Sequence, residues 1–523
     1  MSSNRIRMTG MISGMDTESI VSQLVQAKSV KVDKLKGDKQ KIEWKQDIWK
    51  ELNSKMYSFY SKTLDNMRTK GSYNKMKASI VDSSIASVSA NNSAVTGTQT
   101  LAVKQLAKSG YVTGGKINNS NAGKGDYNIA ALEGVGENIG DGVDIKLTVG
   151  GEEKTLQITS AMSLKDVAKV FSDAGLNANY DETNQRFFIS SKESGEAANF
   201  NITAADDDDG RSQAVLDALG LSETGSSGNA GGWSKIEGQD AQIILNGAEF
   251  TSSTNSFNIN GLSITAQSVS ETYEDEQGKT QYVTTNVSTD KDVDAIYDMI
   301  KDFFKEYNDL IKEMDTKYNA ESASEYNVLT DDEKSSMSED EIEKWNDKIK
   351  GSLLRRDESL GSNINMFKDA MSQSFTVNGT KYSLSSFGIN TLSYFLAGDN
   401  EKGVFHIDGD EDDTNTSGEK DKLKAFISSN LEDVTDFFYE LSNNLYKKIT
   451  EATKHSDYRS VYSMYDDKTL QKEYDDMESD IADEEDKLAD LEDSYYDKFS
   501  AMETALAKLQ EKQNALGQLL GTS

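Results

Sequence analysis

The clearest candidate for a metal site in this 523-residue chain is an acidic segment in its C-terminal half. Asp408, Asp410 and Asp412 alternate with other residues, and Glu419 follows eleven positions after Asp408, as ligands of an EF-hand calcium loop do. The sixth position of such a loop needs glycine, whereas this chain has Asp413 there. Because the flanks also lack the pattern of paired helices, the segment is interpreted as a solvated acidic loop, and no metal ligands are predicted.

Acidic residues also run from 206 to 209, directly before Gly210 and a helical pattern at 211–219. Carboxylates favour the start of a helix, so this run is predicted to cap the helix or to lie in a loop. The glycine-rich stretch 134–140 misses the dinucleotide fingerprint, and no glycine run is followed by a Walker lysine. We therefore expect no nucleotide and no other cofactor.

Histidine, the usual general base, occurs only as His406 and His455. His406 lies in the alternating apolar stretch 404–407 and is interpreted as an ordinary strand residue, while His455 lies in a polar segment. Without cysteine the chain has no thiolate nucleophile, thiolate zinc site or disulfide. A hydrolase that uses two carboxylates is left open, but no pair of acids marks an active site. The enzyme class is therefore the least favoured, and no catalytic residue is predicted.

The charge balance narrows the choice of partners. Lysine and arginine number 56 against 89 aspartate and glutamate residues, so the formal net charge is −33. Such a surface repels phosphate backbones and anionic lipid headgroups, which disfavours nucleic acid and membrane partners. No stretch approaches the roughly 20 apolar residues that span a bilayer. Residues 1–15 lack the apolar core of a secretory signal, so we expect a cytosolic protein or one that leaves the cell without a cleaved signal.

Proline and cysteine are both absent from the chain. Proline isomerisation and disulfide formation are slow folding steps, so a chain that lacks both residues refolds without them. This composition suits a protein that is exported unfolded through a narrow channel. Compositional drift in an acidic chain is an equally good explanation.

Long amphipathic helices are predicted at both ends. Asp16 is placed as an N-cap, and apolar residues then recur every seven positions from Leu35 to Met56, with an interruption at Gly37. Near the C-terminus the same spacing holds for seven residues, namely Tyr474, Ile481, Leu488, Tyr495, Met502, Leu509 and Leu516. Such spacing implies a helix that packs lengthwise on another helix. The partner is the N-terminal helix, another copy of the chain, or both.

Between these ends the pattern changes from helix to strand and back. Two further helices are predicted, one from near Thr289 to Met314 and one from Ile427 to Leu445, both suited to a bundle. Between the N-terminal helix and the first of these, apolar residues alternate with polar ones over residues 79–287. This period of two predicts a β-rich region.

Three local signals stand out within the β-rich region. The pair Asn246 and Gly247 between alternating runs is typical of a two-residue hairpin turn. Ser163 before an apolar-periodic run predicts the cap of a short helix. The Gly- and Ser-rich segment 222–232 is interpreted as a flexible linker.

The segments together predict an α+β multidomain fold with long terminal coiled-coil helices, a helical bundle layer and inserted β-rich head domains. The nested order places the inserted domains at the far end of a rod whose chain ends pair with each other. The predicted boundaries are 1–45 with 470–523 for the terminal coiled-coil leg, 46–98 with 288–469 for the helical layer, 99–142 with 233–287 for a β-rich head domain, and 143–232 for a distal β-rich head domain with short helices.

Three stretches of the chain resemble parts of a single protein family. They are GMISGMDTESIV at 10–21, the segment 329–357 with its LLRRD end, and the terminal helix from Phe499 to Leu516. The family is that of the bacterial flagellar filament cap, also called flagellar hook-associated protein 2. The stretch 510–513 is more charged than the family pattern.

The resemblance implies a structural protein that is exported through the flagellar type III channel and is located outside the cell at the tip of the flagellum. It implies a homo-oligomeric, pentamer-like ring that covers the growing filament end and promotes folding and insertion of flagellin. Implied partners are flagellin, the hook–filament junction proteins and a type III export chaperone. In some members of the family the head is linked to adhesion to host mucin.

The expected leg seams are apolar positions of the two terminal helices, which we expect to be buried fully only after assembly. They are Ile20, Val21, Leu24, Leu35, Ile42, Leu488, Leu491, Met502, Leu506, Leu509, Leu516 and Leu520. A closed coiled coil within one chain is the alternative interpretation, and both can hold in part.

Two other functions are left open by the sequence. The first is another flagellar axial protein, such as a junction protein or flagellin, against which the segment 329–357 argues. The second is a surface adhesin that binds host glycans through its β-rich head.

Overall fold

A computed structural model describes residues 13–118, 120–224, 231–393, 397–398 and 401–520, without the side chains of residues 120 and 518–520. The chain forms two compact units. The helical unit comprises Met1–Tyr73 and Val293–Ser523, and the β-rich unit comprises Asn74–Asp292. Helices at both ends and a β-rich middle confirm the predicted fold class. The four-part division into domains stays a prediction.

The helices and strands have the following bounds. The helices are α1 (Thr17–Ser58), α2 (Leu64–Met67), α3 (Leu164–Asp173), α4 (Arg211–Ala218), α5 (Val293–Tyr318), α6 (Asp331–Ser335), α7 (Glu339–Ser352), α8 (Glu358–Met371), α9 (Lys422–Ser429), α10 (Leu431–Ala452) and α11 (Asp467–Leu520). The strands are β1 (Met76–Ile80), β2 (Ala86–Ala90), β3 (Gly97–Gln105), β4 (Tyr111–Thr113), β5 (Val143–Val149), β6 (Glu152–Ile158), β7 (Leu176–Asp181), β8 (Arg186–Ser191), β9 (Phe200–Ala204), β10 (Ser234–Ile236), β11 (Ala241–Leu245), β12 (Ala248–Ser252), β13 (Ser256–Ile259), β14 (Leu262–Ala266), β15 (Thr272–Glu274), β16 (Thr280–Tyr282), β17 (Thr285–Lys291), β18 (Phe375–Val377), β19 (Thr380–Tyr382), β20 (Ile389–Thr391) and β21 (Phe405–Ile407).

One hydrophobic core holds the helical unit together, and α1, α5, α8 and α10 all contribute to it. Trp49 and Phe303 are almost fully buried there, and the ring centroids of Phe59 and Phe303 lie 5.5 Å apart. Each large apolar side chain that leaves water in this way contributes about 1.5–3 kcal/mol. The same core includes Leu470, so it holds the second half of α1 and the start of α11.

The helix predicted to start near Thr289 begins later in the structure. Thr289 and Asp290 lie in β17, where they pair with Ala78 and Lys77 of β1, and α5 begins at Val293. The predicted start was wrong because pairing with a strand about 200 residues away leaves no trace in the local helical pattern.

The segment predicted as one helix from Ile427 to Leu445 consists of two helices that meet at Asn430. The backbone of Asn430 is not helical (φ −149°, ψ 55°), and its side chain donates a hydrogen bond to Asp433 at 2.8 Å. Conversely, α1 continues through Gly37, which was expected to interrupt it. A Cβ at position 37 would lie only 3.3 Å from the Cβ of Val328, so glycine lets the neighbouring segment approach α1 closely.

The β-rich unit contains two separate hydrophobic cores. The first is formed by the five-stranded sheet β1-β17-β3-β11-β12 and the three-stranded sheet β13-β14-β2. The second is formed by the sheets β10-β4-β8-β7 and β6-β5-β9 together with α3 and α4. The strand β1, which enters the unit, pairs in antiparallel register with β17, which leaves it.

Two local predictions in the β-rich unit are confirmed. Asn246 and Gly247 both have positive φ (50° and 82°) and turn the chain from β11 into β12. Because φ is positive at both central residues, this turn suits asparagine and glycine. Ser163 caps α3 through a capping box with Asp166.

The acidic run 206–209 does not supply the N-cap residue of α4 but binds its first turn. The residue at the N-cap is Gly210, whose φ of 63° suits glycine. The Asp207 carboxylate accepts a hydrogen bond from the backbone N–H of Ser212 at 2.8 Å. Most of the predicted linker lies outside the described residues, because the description stops at 224 and resumes at 231.

Candidate assembly interface of the terminal helices

The helices α1 and α11 lie side by side in antiparallel orientation. Near one end, the backbone N–H of Ser13 donates a hydrogen bond to the Glu503 carboxylate at 3.3 Å. Near the other end, the Gln46 amide donates to Gln471 at 3.4 Å. Residue numbers therefore rise along one helix as they fall along the other, and about thirty residues of α1 face α11.

An apolar seam runs between the two helices. Val21 and Val32 of α1 are buried, as is Ile481 of α11, which is only 9% exposed. Leu470 closes the seam at its inner end and belongs to the core of the helical unit. The spacing of seven places such residues on one helix face, which explains why the two helices pack lengthwise.

Charged side chains flank this seam. Three lysines of α1 pair with three glutamates of α11, namely Lys31 with Glu484 (2.8 Å), Lys36 with Glu485 (2.7 Å) and Lys39 with Glu478 (3.1 Å). The hydrogen bond from Lys31 lowers the pKa of Glu484, and the hydrogen bond to Glu478 raises the pKa of Lys39. Both shifts favour the charged forms, so the ion pairs favour the helix pair at neutral pH. Because exposed ion pairs are weak and screened by salt, their main effect is on register.

The inner end of the helix pair is anchored by aromatic and ionic contacts. The rings of Trp49 and Tyr465 stack with centroids 4.9 Å apart and planes 5° apart. Lys45 of α1 forms an ion pair of 2.8 Å with Asp357, which caps the N-terminus of α8. The anchored end therefore couples both terminal helices to the helical core.

The segment that contains α6 and α7 packs against α1. Both short helices start with a capping box. The ammonium group of Lys350 lies 5.2 Å from the centroid of the Trp44 ring, a cation–π contact, and the Gln26 amide donates to Asp332 at 3.1 Å. This segment covers one side of α1, while α11 covers another.

The sequence matches a known family over most of its length. Residues 13–110 match the family model described as flagellar hook-associated protein 2 N-terminus. Residues 238–511, which are more than half of the chain, match the model described as flagellar hook-associated protein 2 C-terminus. The chain belongs to the flagellar hook-associated protein 2 family. The resemblance seen in the sequence is thereby confirmed, and the comparisons give no support to an adhesin or to a different axial protein.

The chain is also similar to individual proteins. The flagellar hook-associated protein 2 of Halalkalibacterium halodurans is 25% identical over 494 residues, which cover 88% of this chain and 84% of that protein. Among solved structures, the D1-D2-D3 domains of the flagellar cap protein FliD from Escherichia coli are 16% identical with a TM-score of 0.48, covering 82% of this chain and 99% of that chain. FliD (HAP2) from Pseudomonas aeruginosa PAO1 is 18% identical with a TM-score of 0.31, covering 46% of this chain and 99% of that chain.

The predicted leg residues of this hook-associated protein 2 chain differ in exposure. Val21 is buried, whereas Leu24, Leu509 and Leu516 are 38%, 64% and 57% exposed. The half-buried ones are Ile20, Leu35, Ile42, Leu488, Leu491, Met502 and Leu506. The side chain of Leu520 lies outside the description. The role of these residues in assembly stays a prediction.

Among the described residues, the contacts between the N-terminal segment and α11 end before α11 does. The first described residue, Ser13, lies beside Glu503, and α11 continues to Leu520. The last part of α11 therefore extends past the described start of the N-terminal segment. Leu509 and Leu516 lie on this extension, which explains why both side chains are exposed.

An exposed apolar cluster near the inner end of the pair was missed in the sequence. Tyr57 of α1 and the loop residues Tyr458, Val461 and Tyr462 are between 43% and 65% exposed. The rings of Tyr57 and Tyr462 meet edge to face with centroids 5.4 Å apart. Large apolar side chains that are exposed together often mark interaction surfaces. The sequence did contain a signal for this cluster, because three large apolar residues occur within five positions of an otherwise polar loop.

The aspartates of the acidic segment that was considered as a calcium site form ion pairs with lysines. Lys301 lies 2.5 Å from Asp410 and 2.6 Å from Asp412, and Lys422 lies 3.1 Å from Asp408. Across the described part of the chain, no three His, Cys, Asp or Glu side chains are grouped so that they could hold a metal ion. No helix within that part has the length and apolarity to cross a membrane.

Proposed function

We propose that this chain caps the distal end of the bacterial flagellar filament, where copies of it form a ring that promotes folding and insertion of flagellin. In this proposal the α1–α11 pair is the leg of each copy, and the distal part of α11 contacts neighbouring subunits. Membership of the flagellar hook-associated protein 2 family supports the location. The single observation that supports the mechanism is the exposed continuation of the α11 seam beyond Glu503.

The continuation of the seam explains why assembly is favoured. Leu509 and Leu516 hold the same heptad position as Ile481, which is buried against α1. Each leucine that becomes buried in an assembly gains about 1.5–3 kcal/mol from leaving water. This gain offsets the entropy that is lost when a helix end becomes ordered between neighbours.

The pairing of α1 with α11 refines the leg mechanism expected from the sequence. The inner parts of the two terminal helices pack against each other within one chain, whereas the outer part of α11 is left to contact another subunit. In this proposal both interpretations of the seam apply, each to a different stretch of α11. A pre-formed inner pair also lowers the ordering cost of assembly, because the paired part of the leg is already held in place.

The partners that follow from this proposal are other copies in a pentamer-like ring, flagellin, the hook–filament junction proteins and a type III export chaperone. The protein acts outside the cell, without catalysis. Absence of proline and cysteine supports export in an unfolded state followed by rapid refolding. The net charge of −33 supports solubility of the free chain, whose leg carries exposed apolar side chains.

The proposal is tested by changing the exposed seam without disturbing the inner pair. We expect the double variant Leu509→Ser and Leu516→Ser to keep the circular dichroism spectrum and thermal midpoint of the wild type. Swimming motility of cells that carry this variant should fall at least tenfold, and electron microscopy should show filament ends without caps. Normal capping by the double variant would show that this surface has no role in assembly.

A matched control lies on the same stretch of α11. Lys508→Ser and Gln513→Ser change two exposed polar residues near Leu509 and Leu516 and leave both leucine side chains in place. We expect this control to support normal motility. Equal loss of motility in both double variants would point to a general weakening of the helix end and would contradict the seam mechanism.

A further inference from the structure

The exposed apolar cluster of the helical unit is here called the loop patch. It consists of Tyr57, Tyr458, Val461 and Tyr462, whose exposed fractions are 43%, 65%, 56% and 52%. Tyr462 has a φ of 63°, a left-handed conformation that is strained for a bulky side chain. Such a conformation persists only where the surrounding structure holds the residue in place.

The loop that carries this patch is held firmly by the helices around it. The Arg459 guanidinium donates to the Asp466 carboxylate at 2.8 Å and to the carbonyl of Ala452 at 2.6 Å. The Asn53 amide of α1 donates to the carbonyl of Tyr462 at 3.3 Å. The patch is therefore positioned before a partner binds, which lowers the entropy lost on binding. Tyrosine is also one of the residue types enriched at binding hot spots.

Lysines surround the loop patch. The backbone N–H of Tyr462 donates to the carbonyl of the residue before Lys454, and the N–H of Lys468 donates to the carbonyl of Tyr458, both at 3.2 Å. Lys472 follows one turn later on α11. From Lys454 to Lys472 the chain has four cations and three anions, a net charge of +1 within a chain of −33. Among the described residues, neither Lys454 nor Lys472 has a carboxylate partner.

A second exposed apolar surface lies on the β-rich unit beside the hairpin of β15 and β16, and is here called the hairpin patch. It consists of Val81, Val269, Tyr273 and Val283, whose exposed fractions are 81%, 48%, 56% and 47%. The N–H of Val283 donates to the carbonyl of Glu271 at 2.8 Å, and the N–H of Val81 donates to the carbonyl of Asn286 at 3.0 Å. These bonds hold the flanks of the hairpin beside the end of β1.

The charge of the hairpin patch is opposite to that of the loop patch. From residue 269 to residue 283 the chain has four carboxylates and one lysine, a net charge of −3. Asp275 is used within the turn, where it accepts hydrogen bonds from the N–H groups of residues 277 and 279. Glu271, Glu274 and Glu276 are exposed, and within the described part of the chain no lysine or arginine pairs with them.

We propose that the hairpin patch of one copy of this chain docks onto the loop patch of a second copy. The proposal rests on the proposed function, because it names one contact between copies of the ring. Both surfaces are apolar and their charges are opposite, so they attract each other and become buried together. The two surfaces differ, so each copy can bind one neighbour on either side, and such contacts close into a ring, whereas a contact between identical patches joins only two copies.

The experiment is sedimentation velocity of full-length chains with reversed charges. Lys454→Glu with Lys472→Glu reverses the lysines of the loop patch, and Glu271→Lys with Glu274→Lys reverses the glutamates of the hairpin patch. We expect the wild type to associate more strongly at low salt than at high salt, and each reversed variant to associate at least tenfold more weakly. An equimolar mixture of the two variants should recover the association, because each reversed surface then meets one of opposite charge.

Two further variants separate this contact from general effects. Lys116→Glu with Lys192→Glu is the matched control, because it changes the net charge as much as the reversed loop patch does, at exposed lysines outside both patches. It should associate like the wild type. Tyr462→Gly tests the apolar part of the contact. Glycine adopts a φ of 63° without strain, so we expect an unchanged thermal midpoint and association at least fivefold weaker.

The mixture decides the matter even if one variant is less stable, since a misfolded chain cannot recover its association on mixing. A wild type without salt-dependent association, reversed variants that associate normally, a mixture that stays apart, or an equal loss in the matched control would overturn the proposal. Motility of cells with Leu509→Ser and Leu516→Ser tests the proposed function separately, because these leucines lie in neither patch. The contact and the capping mechanism can therefore fail independently.

Discussion

Asp433 shows how one side chain can decide where a helix is divided. It is buried at the start of α10, and its carboxylate accepts hydrogen bonds from Asn378 at 2.7 Å and from Tyr382 and Asn430 at 2.8 Å. The hydrogen bonds from Asn378 and then Tyr382 lower the pKa of Asp433. The carboxylate thus ties the β18–β19 hairpin to the break between α9 and α10.

We expect Asp433→Asn to lower the free energy of unfolding by about 1–3 kcal/mol at pH 7. The introduced amide nitrogen would face one of the side chains that donate to the Asp433 carboxylate, and that donor would lose its acceptor. The folded pKa of Asp433 is lowered, so its contribution is complete above the unfolded pKa of about 3.9 and is lost as the pH falls through the folded pKa. The difference between wild type and variant should therefore shrink at pH 3. Urea unfolding of both proteins at pH 7 and at pH 3 measures this difference in stability.

Glu440→Gln is the control for this prediction. Glu440 is exposed on the same helix, and its change should alter stability by less than about 0.5 kcal/mol. A similar loss for both variants, or a loss in Asp433→Asn that does not depend on pH, would contradict the role given to the network.

At the scale of elements, α11 is a single helix with two environments. Its inner part is covered by α1, while its outer part carries Leu509 and Leu516 in solvent. The lowered pKa of Glu484 means that its ion pair with Lys31 contributes above the unfolded pKa and is lost on acidification through the folded pKa. The helix pair therefore loosens in acid, and it also loosens at high salt because the charges are screened.

We expect Ile481→Ala to destabilise the helix pair by about 2 kcal/mol, the low end for this change, because Ile481 lies in the seam with α1 and is still 9% exposed. Hydrogen exchange of the backbone amides in α1 and α11 should accelerate together, since each helix protects the other. Leu509→Ala, on the exposed extension, is the matched control and should leave exchange unchanged. Acceleration in α11 without acceleration in α1 would contradict the mutual protection.

At the scale of the whole molecule, the chain consists of two units that each have their own hydrophobic interior. The β-rich unit is inserted between two parts of the helical unit, and its first and last strands pair with each other. The pair β1 and β17 brings the entry and exit of the insertion together. Such an insertion can fold without holding the flanking chain apart.

The isolated fragment 74–292 is therefore expected to fold by itself. It should unfold in a cooperative thermal transition and give dispersed amide resonances. A shorter fragment, 81–284, lacks β1 and β17 and so removes Val287 from the first core. We expect this control to lose the cooperative transition of that core, and identical melting of the two fragments would show that the closing strands contribute nothing.

The sequence by itself determined the features that depend on neighbouring residues. Heptad spacing predicted the terminal helices, Asn246 and Gly247 predicted a hairpin turn, and Ser163 predicted a helix cap. These signals are local, because caps, turns and helix faces arise from residues a few positions apart. The family resemblance extended this information to function through the segment 329–357.

Only the tertiary structure decided which surfaces meet. Thr289 belongs to a strand because β1 pairs with it, and the α9–α10 break at Asn430 depends on Asp433 and the hairpin that binds it. Likewise, the rings of Trp49 and Tyr465 stack on each other only in the folded chain. Contacts of this kind join residues that are distant in sequence or differ in direction, and a local periodicity contains no information about them.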